Sequence, residues 1–161
     1  MSTLDSKHKK SIVIYQDGLL SYSETFIKQQ ILGLKHWNAT LVGHKYKKNS
    51  LDFSMLQSQL LLPKNSSLFK RLRYTLNRWN NKPDPAGIKT LKDLAPSLIH
   101  AHFGTSAVDI WPYAKALGIP MLVTLHGFDI SIRREWWEEG KRSRRKKKYP
   151  AQLDQLAREK S

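Results

Sequence analysis

The sequence predicts an α/β fold, in which a Rossmann-like parallel sheet carries helices on both faces. Apolar runs typical of buried strands occur at Ser11–Tyr15, Ala39–His44, Leu98–Phe103 and Met121–Leu125, and helical segments separate them. The last two runs flank a segment with helical spacing, Thr105–Leu117, so they form a βαβ unit, which is parallel and almost always right-handed. A chain of 161 residues has the length of one domain.

Capping residues and periodicity mark the helices that precede this unit. Ser21 and Glu24 have the spacing of a capping box, which predicts a helix that starts there and ends near Trp37. An amphipathic helix is predicted over Leu68–Trp79, and a shorter one over Ala86–Leu94 follows a turn-rich break. This alternation of strands and helices favours a doubly wound sheet.

Other stretches are predicted from their turn residues or left open. Gln16–Ser23 reads as a loop, and Gly118 ends the helix of the βαβ unit. Residues 45–67 have no clear pattern, and within them LQSQLLLPKNSS fits a short helix or a strand, between which the pattern does not decide. Beyond Ile130 the chain is strongly charged and shows no strand pattern.

The charge of the chain points to anionic partners. The formal net charge is +15, with 40% hydrophobic residues and no cysteine. Such a surface favours nucleic acid, acidic lipid or phosphorylated ligands, and the missing thiols exclude disulfides and thiolate sites. The longest apolar runs are too short for a membrane-spanning helix or a secretory signal. We therefore expect a cytoplasmic protein that contacts the inner face of the plasma membrane peripherally.

Histidines and glycines follow the two strands of the βαβ unit. His102 and Gly104 come at the end of one strand, and His126 and Gly127 come at the end of the other. Ligands of open α/β sheets bind just beyond the carboxyl ends of the strands, so these residues are expected at the edge of a crevice. His100 lies two residues before His102 and shares its face, which leaves a three-histidine zinc site as a less favoured alternative. We expect no metal.

A basic run near the carboxyl end is a candidate membrane contact. Its positive residues are predicted to attract anionic headgroups, and Trp136 and Trp137 precede them. The alternative is a solvated helix face. The helix over Leu68–Trp79 is a second candidate, with packing against the sheet as its alternative. The membrane-binding set is Lys141, Arg142, Arg144, Arg145, Lys146, Lys147 and Lys148.

Three segments of the chain resemble a known family: SETFIKQQILGL, LIHAHFG and LGIPMLVTLHGFDI. In order and spacing they are similar to the N-terminal, acceptor-side domain of family 4 glycosyltransferases of GT-B fold, of the kind that builds bacterial surface polysaccharides. The resemblance implies such a domain over residues 1–149. It also implies a charged helix or tail over residues 150–161, leading to a donor domain that the sequence lacks.

The resemblance also implies an activity. The complete enzyme would transfer a sugar from a nucleotide-sugar, without a further cofactor, to a lipid-linked or growing saccharide in capsule, exopolysaccharide or lipopolysaccharide synthesis. The isolated chain is expected to be inactive without a donor domain. That domain would be either lost by truncation or supplied by a separate chain.

Site residues follow from matching positions. His126 of the Thr-x-His motif is the expected catalytic residue, lying beside the transferred sugar. The loop and helix start that carry Gly18, Ser21 and Glu24 are expected to approach donor phosphates. For Ser21 and Glu24, capping of the helix alone is an equally favoured alternative. The other expected substrate-binding residues are His102, Gly104, Gly127 and Asp129. For Asp129, capping of a helix is the alternative to contact with an acceptor hydroxyl.

Two other classes of function compete with the glycosyltransferase hypothesis. The charge permits a non-catalytic basic module that binds nucleic acid or a membrane. Because no recognised nucleic-acid motif accompanies the basic run, we expect no nucleic-acid partner. A histidine-bound zinc hydrolase is the third candidate.

Overall fold

The computed structural model describes residues 9–48, 50–139 and 143–159. The strands are β1 (Lys10–Leu19), β2 (Trp37–Tyr46), β3 (Ser58–Leu60), β4 (Leu98–His102) and β5 (Met121–Thr124). A 3₁₀ turn over Tyr22–Glu24 leads into α1 (Thr25–Gly33). The other helices are α2 (Leu68–Trp79), α3 (Pro85–Leu94), α4 (Gly104–Leu117), α5 (Phe128–Ser131), α6 (Arg134–Glu138), α7 (Arg144–Lys147) and α8 (Tyr149–Arg158).

The strands form one parallel sheet in the order β3-β2-β1-β4-β5, which confirms the predicted fold class. The open stretch before α2 contributes β3, which pairs with β2 at one edge of the sheet. After β1 the chain adds β2 and β3 on one side of β1, and it then crosses over to place β4 on the other side. The order of connection therefore reverses between β1 and β4, and doubly wound sheets bind ligands at such a point.

Two predicted boundaries near the start of the chain are wrong. The expected loop over Gln16–Ser23 is strand as far as Leu19, because β1 continues to pair with β2 through the partners Gly18 and Lys45. The first helix ends at Gly33 rather than near Trp37, where β2 already begins. Pairing between β1 and β2 outweighs the turn signal at the end of β1 and the helical pattern before Trp37.

The sheet buries apolar side chains on both faces. Val13 and Tyr15 of β1 belong to the core beneath α3 and α4, whereas Ile12 and Ile14 belong to the core beneath α1. This alternation is the period of two that places successive side chains on opposite faces. The charged tail predicted from residue 150 is helical as α8 up to Arg158, and it packs on α4. Because the strands are all parallel, their carboxyl ends lie along the same edge of the sheet.

Candidate functional site

A cluster of three histidines lies at the carboxyl ends of β4 and β5. His100 and His102 both face the α1 side of the sheet, as their spacing predicted, and both are buried. His100 Nε2 lies 2.8 Å from Thr124 Oγ1, and His102 Nδ1 lies 3.0 Å from His126 Nε2. The ends of β4 and β5 therefore place the His126 ring next to that of His102, at the outer end of a row of three imidazole rings.

Two phenylalanines cover the outer end of this stack. The rings of Phe26 and Phe103 lie 4.7 Å and 4.5 Å from the His126 ring, between centroids. Strict alternation along β4 would place Phe103 on the opposite face of the sheet from the histidines. Its backbone has φ +69°, which turns its side chain to the histidine side and ends the alternation of β4. His126 itself is half-buried, so one part of its ring remains open to a ligand.

The surroundings of His100 and His102 favour neutral imidazoles. Burial, together with the neighbouring charges of His100 and His126, lowers the pKa of His102 to about 3. The pKa of His100 is also lowered, first by burial and then by His126. The buried Nε2 of His102 has no hydrogen-bond partner within the described residues. The rings stack instead of converging, and no group of three ligating side chains within residues 9–48, 50–139 and 143–159 could hold a metal ion.

Asp129 joins the loop of His126 to the start of α4. Its buried carboxylate accepts hydrogen bonds from the backbone N–H of Gly104 at 2.6 Å and of His126 at 3.0 Å. Its backbone carbonyl accepts one from the Tyr149 hydroxyl at 2.8 Å. Gly127 supplies the positive φ of +86° that this turn requires. Asp129 thus fits the helix-capping alternative for this residue, and it positions His126.

The residues expected near donor phosphates form a closed polar cluster. The Glu24 carboxylate accepts hydrogen bonds from Gln16 Nε2 at 3.0 Å, Lys47 Nζ at 3.2 Å and the backbone N–H of Ser21 at 2.6 Å. The last of these is one arm of the predicted capping box. Gly18 lies within β1, where an added Cβ would come within 2.6 Å of Lys47 Cε. These contacts hold β1, β2 and α1 together.

A cavity of about 280 Å³ opens beside this edge, at the reversal point between β1 and β4. None of the predicted catalytic or substrate-binding residues lines it, although their sequence neighbours Asp17, Thr105 and Phe128 do. One part of its wall is cationic and another is aromatic. The lining residues that matter most are Asp17, Arg78, Trp79, Trp136, Trp137, Arg145, Lys146 and Lys148.

A buried ion network forms the base of this cavity. The Arg78 guanidinium binds both carboxylate oxygens of Asp109, at 3.1 Å and 2.7 Å, and it also contacts Asp17. The Tyr15 hydroxyl donates to Asp109 at 2.9 Å. Burial raises the pKa of Asp109, but the hydrogen bonds and charge of Arg78 more than offset this, so the net pKa is lowered. Burial by itself would lower the pKa of Arg78, but the hydrogen bonds and charge of Asp109 outweigh this effect, so the net pKa is raised.

The basic run predicted to bind membranes divides between this cavity and solvent. Lys141 and Arg142 lie outside the described residues, as does the side chain of Arg144. Arg145, Lys146 and Lys148 line the cavity, and Arg145 lies 2.5 Å from Asp109. Lys147 is exposed and does not line it. Three of the residues predicted to bind a membrane thus line this partly open cavity, and two of them, Lys146 and Lys148, are also exposed.

Sequence reasoning missed the central members of the network. Arg78 stands 31 residues from Asp109 and 61 from Asp17, so no local pattern connects them. In the sequence Arg78 is one basic residue of an amphipathic helix. The crossover that brings α2 over the carboxyl edge of β1 creates the pairing.

The apolar side chains of α2 face away from the core. Tyr74 is the buried residue of this helix, and its predicted apolar stripe is left open to solvent. The packing alternative for this stripe is therefore wrong. The exposed set is Leu68, Phe69, Leu72, Leu76 and Trp79.

Comparison with known proteins adds a similarity of structure. No family model matches the chain, and no curated protein matches it. The crystal structure of TcCGT1 in complex with UDP aligns with 95% of this chain at 16% identity and a TM-score of 0.43. The chain spans 33% of the length of that protein. Within the described residues, no helix is both long and apolar enough to cross a membrane.

Proposed function

We propose that the chain is the acceptor-side half of a glycosyltransferase, which transfers a sugar from a nucleotide-sugar to a lipid-linked or growing saccharide in surface-polysaccharide synthesis. The observation that carries the proposal is the cavity at the reversal point of a Rossmann-like sheet. The three family-like sequence segments support it, because they supply α1, β4, β5 and the His126 loop around that edge. The donor domain would come from a separate polypeptide or from a longer form of the chain.

His126 is the residue proposed to act on the saccharide. Its half-buried ring is held by His102 and two phenylalanines, and its backbone is fixed by Asp129. Because Nε2 of His126 faces His102 Nδ1, the other ring nitrogen, Nδ1, is the one that can bond to a sugar hydroxyl. Holding the reacting hydroxyl in place lowers the barrier without a strong base. Gly127 leaves room for the ligand to approach the turn.

We further propose that the protein works at an anionic membrane surface on the cytoplasmic side. The exposed apolar face of α2 has Lys70 and Arg71 on the same helix, and Lys64 lies just before it. An interfacial helix binds through such a combination of apolar and basic side chains. The net charge of +15 strengthens attraction to acidic headgroups. A membrane position would suit an acceptor attached to lipid.

Sugar transfer is tested by reconstitution. The chain is mixed with, or fused to, a donor domain of a family 4 glycosyltransferase, and transfer of radiolabelled sugar to membrane saccharide is measured. His126→Ala is expected to reduce kcat by at least about tenfold, because a positioning contact in the transition state is lost. His36→Ala is the matched control, since His36 is exposed and remote in sequence from the site. Unchanged activity in His126→Ala would remove this residue from the site.

The membrane proposal is tested by sedimentation with vesicles. Binding to phosphatidylglycerol vesicles is compared with binding to phosphatidylcholine vesicles. Leu72→Ser/Leu76→Ser is expected to weaken binding by about tenfold or more, since each buried leucine contributes on the order of 1.5–3 kcal/mol. These leucines are 60% and 46% exposed, so the folded protein tolerates the change. Met55→Ser/Leu122→Ser replaces two other exposed apolar residues and should bind like the unmodified chain.

A second candidate is a non-catalytic basic module that binds membranes. The exposed face of α2 supports this candidate equally well. The two experiments separate the candidates, because the module would bind vesicles but give no transfer with any donor domain. An oligonucleotide shift in the same buffers tests nucleic-acid binding, which would weaken steeply as salt is raised.

A further inference from the structure

We propose that the cavity between the carboxyl end of α2 and helix α7 binds the phosphate group of a phosphorylated saccharide. The sugar ring would lie against the aromatic wall of the cavity. The inference rests on the proposed function and specifies the chemical class of its acceptor. It is carried by four cationic side chains that line one partly open cavity: Arg78, Arg145, Lys146 and Lys148.

The charges of the cavity do not cancel. Arg78 is paired with Asp17 and Asp109, and Arg145 is paired with Asp109. Asp17 is the acidic side chain that lines the cavity, and Asp109 lies beneath it. Lys146 and Lys148 have no ion pair or hydrogen bond to another side chain among the described residues, so two positive charges at the mouth have no local counterion. An anionic group of the ligand would supply it.

The buried network holds these cations in place. Asp109 binds Arg78 with two hydrogen bonds and also contacts Arg145, so neither guanidinium is free to turn away. A guanidinium fixed by a carboxylate on one side can still donate to a phosphate on the other, because it carries five N–H groups. The arrangement is preorganised, which lowers the ordering cost of binding.

The aromatic wall argues for a saccharide rather than a bare ion. Trp79, Phe128, Trp136 and Trp137 line the cavity together with Tyr149. The C–H faces of a sugar ring are apolar and can lie flat against such rings, while its hydroxyls remain at the rim. A volume of about 280 Å³ suits one sugar residue with its phosphate. A free phosphate would leave this wall unused.

The test is direct binding, measured by calorimetry on the intact chain with glucose 1-phosphate, inorganic phosphate and glucose as probes. Glucose 1-phosphate should bind more tightly than inorganic phosphate, and glucose should bind weakest. Lys146→Ala/Lys148→Ala should weaken binding of glucose 1-phosphate by about tenfold or more, because charge-assisted hydrogen bonds are lost. The matched control Lys35→Ala/Lys92→Ala removes the same charge from exposed positions that do not line the cavity, and it should keep the affinity.

Several results would overturn the inference. Equal weakening in both double variants would show that only net charge matters, and absence of glucose 1-phosphate binding would exclude the site. If only phosphatidylglycerol vesicles bind, and binding falls in Lys146→Ala/Lys148→Ala, the cations serve a lipid surface instead. Binding without sugar transfer in the reconstituted assay would uphold the cavity and reject the transferase. Full transfer by Lys146→Ala/Lys148→Ala would reject the cavity alone.

Discussion

Replacing His102 with glutamine should make the protein less sensitive to acid. The side chain is 2% exposed, and its pKa in the folded state is lowered to about 3, first by burial and then by His100 and His126. In the unfolded chain the same imidazole titrates near its ordinary value of 6.5. As the pH falls below 6.5, the unfolded state takes up a proton that the folded state rejects. Stability is therefore complete above that value and is lost progressively toward pH 3.

The size of the effect follows from the two pKa values. Each pH unit within this window costs about 1.4 kcal/mol, so His102 alone should account for roughly 2 kcal/mol of lost stability between pH 7 and pH 5. Urea denaturation followed by tryptophan fluorescence measures the free energy of unfolding at both values. His102→Gln should lose about 2 kcal/mol less than the unmodified chain over this interval.

A matched variant isolates the buried site. His36 is exposed, so His36→Gln should retain the full acid sensitivity of the unmodified chain. If His102→Gln shows the same loss of stability as the unmodified chain between pH 7 and pH 5, His102 is not held neutral in the folded protein. The account of the imidazole stack would then be refuted.

Substitutions at Asp109, Asp84 and Gly104 test the buried contacts of the fold by urea or thermal denaturation. Asp109→Ala should lower the free energy of unfolding by about 3–5 kcal/mol, because it leaves two guanidinium groups without their buried carboxylate. Asp154→Ala removes an exposed partner and should cost less than about 1 kcal/mol, so equal losses would contradict the network. Asp84→Ala should cost about 2–3 kcal/mol, because its buried carboxylate accepts three hydrogen bonds and caps α3, and no loss would refute this. Gly104→Ala should lower the melting temperature, since the new Cβ overlaps the Tyr149 hydroxyl. Adding Tyr149→Phe should restore part of the lost melting temperature. If it restores none, the steric clash does not involve the Tyr149 hydroxyl.

Local chemistry predicted much of the fold. The β-branched runs located β1, β2, β4 and β5, and Gly118 ends α4 in the left-handed conformation that its position suggested. α2 has the bounds that its periodicity predicted. These features depend on residues close in sequence. The end of β1 was misjudged because Gly18 resembles a turn residue, whereas pairing with β2 keeps the strand extended.

The candidate site was predicted less completely, because it depends on contacts distant in sequence. The pattern placed His102 and His126 together, since the ends of adjacent parallel strands meet. It did not show that the Asp129 carboxylate would accept hydrogen bonds from two backbone N–H groups. Nor did it show which way α2 turns, because periodicity reveals an apolar stripe but not what covers it. Arg78 and the basic run reach one cavity only through the path of the folded chain.

Trp79 belongs to two surfaces of the molecule at once. It ends the row of apolar side chains that α2 presents outward, and it also forms part of the cavity rim. Leu76 lies within one helical turn of it, a rise of about 5 Å along the axis. A bilayer resting on α2 would thus set the height of the cavity opening close to its headgroups. A saccharide anchored by a lipid tail could then enter without leaving the leaflet, and the orientation of one helix would govern which acceptors come within reach.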